Sequence, residues 1–231
     1  MKTVGLLGGM SWESTQTYYQ LINQGIKHQL GGLHSGKIIL YSVDFAEIEA
    51  LQHNDGWLQA AERLSDAAMG VQAAGADFLM ICTNTMHKVF DQVQENIDIP
   101  MLHIADATGE QLQAMGITKV GLLGTAFTME QDFYKSRLTN KFAIDVVIPN
   151  KNQRDLVHNV IYQELCQGII NHDSKQQHLR IIEDLAKHGA QAVILGCTEI
   201  GLLIQQDDCN IPLIDTTDVH ANAAITAMLT P

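Results

Sequence analysis

A chain of 231 residues, 46% hydrophobic and 17% charged, is long enough for one large domain or two small ones and can bury a proper core. Fourteen basic against 26 acidic residues give a formal net charge of −12, and no run of Lys or Arg offers a phosphate-tracking stripe, which argues against nucleic acid and anionic membrane surfaces as partners. Four cysteines, Cys82, Cys166, Cys197 and Cys209, show no C-x-x-C spacing and H-E-x-x-H is absent, so no zinc site is signalled and reduced thiols in the cytoplasm are the expectation.

The opening "MKTVGLLGGM" has the length of a short secretory signal. Glycines break its apolar run, however, and Trp12-Glu13-Ser14 follows without a small-residue cleavage site, so it reads as a buried first strand. A helical pattern then runs from Ser14 to Leu30 and stops at Gly31-Gly32; a short apolar run, Lys37 to Val43, reads as a second strand. Helix Trp57 to Ala74 stops at Gly75, and the strands "GADFLMICTNT" and "IPMLHIAD" follow. Beyond "KVGLLGT" from Lys119 come helix Met129 to Asn140, strand Ile144 to Ile148, helix Asn152 to Cys166 before Gly168, and helix Ser174 to His188 before Gly189. The chain closes with "GAQAVILGCTE" and "IPLIDTTD". No stretch approaches the roughly 20 apolar residues of a membrane helix.

An internal repeat organises this order. "TVGLLGG" recurs as "KVGLLGT", "GADFLMICTNT" as "GAQAVILGCTE" and "IPMLHIAD" as "IPLIDTTD", at the similar spacings of 116 (5 to 121), 114 (75 to 189) and 112 (99 to 211). Alternating strands and helices, with near-continuous apolarity in the strands, predict two pseudo-symmetric doubly wound α/β domains, each with a mainly parallel sheet of about four strands. The expected boundaries are 1–116 and 117–210, with the segment 211–231 packing back on the first domain. In open parallel sheets ligands bind beyond the carboxyl ends of the strands, so an active site in the interdomain cleft is expected.

The offset of 114 maps Cys197 onto Thr83 and leaves Cys82 opposite Gly196. Side chains alternate along a strand, so Thr83 is expected at the site and Cys82 buried beside it. Cys197 has two readings. Free cysteine is among the most buried residue types, which makes it a packing residue; a strand end opening into a helix offers oriented N–H groups that stabilise a thiolate and lower its pKa from about 8.5. Thr198, Glu199, Asn84 and Thr85 are either polar groups for a small anion or ordinary helix N-caps. The histidines His34, His103 and His172 form no cluster in the sequence and read as solvated or packing residues.

The motifs "TNTMH" (83 to 87), "GCTE" (196 to 199), "LLGGM" (6 to 10), "LLGT" (122 to 125) and the paired "IP" segments resemble the aspartate/glutamate racemase family, cofactor-independent amino-acid racemases, over essentially the whole chain. The resemblance implies a cysteine from each domain flanking the substrate Cα, one taking the proton as thiolate and the other returning one as thiol, with no cofactor and no metal. It also implies a small amino-acid substrate; a homodimer is expected from two small exposed domains. Two departures stand out. Thr83 holds the place of the family's first cysteine, and no Lys or Arg occurs between Lys37 and Arg63, where aspartate-specific members carry an arginine for the distal carboxylate. Gln52 or His53 is the nearest candidate for that contact.

The expected roles are therefore Cys197 as base for the L enantiomer and Thr83 as proton donor on the other face, directly or through a water. Met10, Gln52, Asn84, Thr85, Thr125, Thr198 and Glu199 are expected at the substrate, the α-carboxylate lying among helix N-terminal amides. His87 and Glu199 orient or tune the pair, or are structural. No pyridoxal-type lysine is needed, and "GLLGGM" lacks the GxGxxG spacing. Two alternatives stand beside this: a single-cysteine isomerase or decarboxylase of small dicarboxylates, and a non-catalytic amino-acid binding protein.

Overall fold

The computed structural model describes residues 1–230. In its first half, β1 (Val4–Gly8) leads to α1 (Trp12–Leu30), β2 (Ile38–Ser42), α2 (Phe45–His53) and α3 (Trp57–Ala73). These are followed by β3 (Phe78–Ile81), α4 (Phe90–Gln94), β4 (Met101–Leu102) and α5 (Ile104–Ala114). The second half runs β5 (Lys119–Gly124), α6 (Ala126–Glu130), α7 (Asp132–Phe142), β6 (Asp145–Val147), α8 (Lys151–Gln163) and α9 (His172–Lys187). It ends with β7 (Ala192–Gly196), α10 (Ile200–Leu203), β8 (Leu213–Asp215) and α11 (Thr216–Leu229). Two four-stranded sheets result, ordered β2-β1-β3-β4 and β6-β5-β7-β8, with every pairing parallel.

The ladders make the repeat physical. Leu7 pairs with Ile81 in one sheet and Leu123 with Leu195 in the other; Leu79 pairs with Met101 and Val193 with Leu213. The register thus sets Thr83 and Cys197 at equivalent places just past β3 and β7. Within the first sheet, Leu6, Met80 and Cys82 join the apolar cluster that contains Tyr18 and Ile22 of α1, whereas Leu7 and Ile81 join the cluster with Leu64 and Val71 of α3. That alternation follows from the two-residue period of a strand. It buries Cys82 completely and leaves Thr83 half-buried.

Contacts divide the chain into one unit of Met1–Ile104 with the residues from His220 onward, and another of Ala105–Val219. These limits differ from 116/117 and 210/211, because the helix after each last strand belongs to the other unit. In the second unit, Gly109 of α5 lies against the Phe142 ring, and Tyr134 Oη of α7 donates to Thr108 Oγ1 of α5 at 3.2 Å. In the first, Ile225 of α11 packs on Gly25 of α1. Of the segment 211–231, β8 stays with the second sheet and only the helical part from His220 joins the first unit.

Two local details also depart from the expected elements. α2 is an additional helix, started by Asp44, whose Oδ1 accepts from the Ala46 amide at 3.1 Å. The pattern Met129 to Asn140 is two helices, broken at Gln131, which is extended with ψ 158°.

Gly196 marks a backbone approach that sequence periodicity does not show. A Cβ there would lie 2.8 Å from the Leu123 carbonyl oxygen and 3.0 Å from Leu122 Cδ1. Gly196→Ala should therefore destabilise the second unit by about 1–3 kcal/mol, read as a lower urea midpoint with an unchanged m-value.

Candidate active site

In the first unit the turn after β1 is built by Gly9 at φ 89°, whose Cβ would press on the Val43 backbone, so a side chain is excluded there. The Gly9 amide donates to Thr15 Oγ1 at 2.7 Å, and Ser11 caps α1 by accepting from the Ser14 amide. Met10 is spent on packing: its side chain is buried in the cluster with Ile81 and Met86. Gln52 is buried and its Nε2 lies 3.0 Å from Met86 Sδ, while the neighbouring His53 stands exposed against Glu49. Of the two candidates for the distal carboxylate, Gln52 is the one turned inward.

Past β3 the chain enters a 3-10 helix, Thr85–Val89, rather than an α-helix. Asn84 stands at its N-cap position without a side-chain capping bond, and Asn84, Thr85 and His87 are all buried. Ser14 Oγ donates to the Cys82 carbonyl at 3.0 Å, and His87 Nδ1 lies 2.8 Å from the Thr83 carbonyl oxygen. The backbone on both sides of the Thr83 α-carbon is thereby tied down.

In the second unit Thr125 is a true cap: its Oγ1 accepts from the Thr128 amide at 3.3 Å at the start of α6. Cys197 and Thr198 are arranged differently. Cys197 Sγ donates to Glu199 Oε2 at 3.0 Å and Thr198 Oγ1 donates to the same oxygen at 2.6 Å. Glu199 is 4% exposed and Cys197 8%. One carboxylate oxygen thus gathers the two groups that precede it in the chain.

Thiolate stabilisation at Cys197 is not what this geometry provides. Burial pushes the thiol well above its ordinary range, and the Glu199 and Cys166 charges add to the rise. The expected helix N-terminus is only the four residues of α10, too short to supply an appreciable dipole. Cys197 is therefore held as a thiol with an acceptor already in place. Removing the Glu199 charge should lower the thiol pKa: Glu199→Gln should move the pH midpoint of iodoacetamide alkylation to lower pH while turnover falls.

The sequence reading missed a histidine cluster. His87 lies with its ring centroid 4.6 Å from that of His103 and 5.7 Å from that of His220, and all three are buried in the first unit. They come from three distant stretches, so spacing carried no sign of it. Among the described residues no group of His, Cys, Asp and Glu could hold a metal ion, and no helix is long and apolar enough to cross a membrane.

Residues 7–224 match the family model Asp/Glu/Hydantoin racemase. A crystal structure from Yersinia pestis, named as a candidate Asp/Glu racemase, is 53% identical over 100% of both chains with a TM-score of 0.94. That of an aspartate racemase homologue from Pyrococcus horikoshii is 34% identical over 100% of both chains, TM-score 0.87. The broad specificity amino-acid racemase RacX of Bacillus subtilis is 21% identical over 98% of each chain. With a match spanning nearly every strand and both strand-end motifs, the chain belongs to the Asp/Glu/Hydantoin racemase family.

Proposed function

We propose that the protein interconverts the L and D forms of aspartate, glutamate or both, without pyridoxal phosphate, by removing and returning the Cα proton with an unequal pair, Cys197 and Thr83. The observation that carries this reading is the Cys197 thiol donating to Glu199 Oε2 at 3.0 Å, at the strand-end position equivalent to Thr83. A thiol held beside a carboxylate can hand over its proton and become the carbon base as substrate arrives. Glu199 is the acceptor of that proton, and Thr198, sharing the same oxygen, fixes its direction.

The carbanion reprotonated from the other face requires a donor, not a base, when the L enantiomer is substrate. A threonine hydroxyl can donate, directly or through a water, but cannot ionise in advance, so in the L-to-D direction Cys197 acts first. The proton taken up by Glu199 passes to solvent and solvent returns one to Thr83, which closes the cycle, and the D-to-L direction is the same path reversed. Asn84, Thr85, Thr125 and Thr198 are the donors assigned to the α-carboxylate, where developing charge is stabilised by preplaced hydrogen bonds. Gln52 is assigned to the distal carboxylate; its amide binds less strongly than a bidentate guanidinium would. The name of the Pyrococcus horikoshii relative supports aspartate, that of the Yersinia pestis relative either acid, and that of RacX a broader range. Homodimerisation belongs to the same reading, supported by Leu40 and Tyr41 exposed on the edge strand β2, with sedimentation velocity as its check.

Enantiomers have equal free energies in water, so kcat/KM must be equal in the two directions even though kcat and KM separately need not be. Chiral chromatography of L-aspartate and L-glutamate incubations tests the proposal. D-product approaching a one-to-one mixture is the expected outcome for at least one acid; unchanged chirality for both, with folded protein, rejects it.

A further inference from the structure

His87 is a buried imidazole with both nitrogens engaged by backbone. Its Nε2 accepts from the Ile104 amide at 3.2 Å, which fixes the proton on Nδ1, and Nδ1 donates to the Thr83 carbonyl at 2.8 Å. The ring is stacked on Phe90 at 12° and 5.8 Å, with His103 and His220 on other sides. His220 is itself fixed. Its Nε2 donates to the Leu102 carbonyl at 3.0 Å and its Nδ1 accepts from Tyr18 Oη at 3.0 Å; burial holds its pKa down to about 4. His220 therefore remains neutral near pH 7.

The second unit supplies an internal comparison. By the ladder register its counterpart of His87 is Gly201 and that of His103 is Asp215, and a Cβ on Gly201 would meet the Asp215 carboxyl. The counterpart of the Tyr18–His220 hydrogen bond is Tyr134 Oη to Thr108 Oγ1. The scaffold bond is thus kept in both halves. The imidazole on the strand-end carbonyl exists only where the strand end carries threonine. In the other half the reactive side chain is directed by its own neighbour, Glu199.

We propose that His87 is a positioning residue: locked as the Nδ1–H tautomer between the Ile104 amide and the Thr83 carbonyl, it fixes the backbone that aims the Thr83 hydroxyl. The link to catalysis rests on the racemase reading above. A β-branched side chain has few χ1 choices, so fixing the peptide largely fixes the hydroxyl direction. Misplacement of a reacting group by about 1 Å can cost about a hundredfold in rate.

Two substitutions separate the two bonds. In His87→Asn the amide nitrogen replaces Nδ1 and keeps the donor to Thr83; in His87→Gln the longer amide reaches the Nε2 position, keeping the acceptor for Ile104 and losing that donor. The readout is D-product formed per deuterium entering the remaining L-substrate in deuterium oxide, a partition that loss of folded protein does not move. His87→Gln should lower it at least about tenfold and His87→Asn by less than about threefold. A wild-type partition in His87→Gln, or a similar loss in both variants, overturns the proposal. Nitrogen-15 NMR of the wild-type imidazoles gives an independent arm: His87 should carry its proton on Nδ1 between pH 6 and 8, and an Nε2–H tautomer overturns the clamp. Absence of Cα exchange in wild type would reject the racemase reading and the catalytic role together, whereas the tautomer still decides the clamp.

Discussion

Cys197→Ala should lose the release of Cα hydrogen from the L-amino acid by at least about a thousandfold, within the range that general acid–base groups contribute. No other group can take over this step. Thr83 is a hydroxyl, Cys82 is fully buried with its thiol pushed further from ionisation by that burial, and the Glu199 carboxylate is too weak a base to replace a thiolate at carbon. The substitution removes one sulfur atom at a largely buried site and keeps Cβ, so the thermal midpoint should change little. A folded variant with undiminished exchange would show that Cys197 is a packing residue after all. Cys197→Ser is the sharper control: it keeps a donor to Glu199 and removes only the low intrinsic pKa of sulfur.

Thr83→Ala should separate two events that the wild type joins. With Cys197 intact, the Cα proton of L-substrate is still removed and exchanged with solvent, and deuterium returns to the same face. Inversion, which needs the Thr83 donor, should fall about a hundredfold while exchange falls less than about tenfold. Proton NMR in deuterium oxide reads exchange, and chiral chromatography of the same sample reads inversion. Equal losses of both would make Thr83 a binding residue; no loss of inversion would place the second proton donor elsewhere.

Much of the architecture was legible because duplication leaves matched strand ends at nearly one spacing. The same offset, together with the two-residue period of a strand, chose Thr83 over Cys82 before any coordinate. Helix membership was not legible: α5 and α11 follow strands of one sheet and belong to the other unit, and nothing in an apolar helical pattern says against which sheet it packs. Nor could adjacency in the chain show that Cys197 and Thr198 converge on one oxygen of Glu199. The reading of a lowered thiol pKa is reversed because burial of Cys197, with the Glu199 charge beside it, raises the pKa, and α10 is a single turn. His87, His103 and His220 meet only through tertiary packing, so their cluster had no local signature.

The most direct test of the central claim is proton NMR of L-aspartate and, separately, L-glutamate in deuterium oxide with the wild-type protein, followed by chiral analysis of the same samples. The account predicts loss of the Cα–H signal for at least one acid, with every molecule of D-product carrying deuterium at Cα. Folded protein that leaves the Cα–H signal of both acids intact, or that yields D-product retaining its original Cα hydrogen, would contradict it.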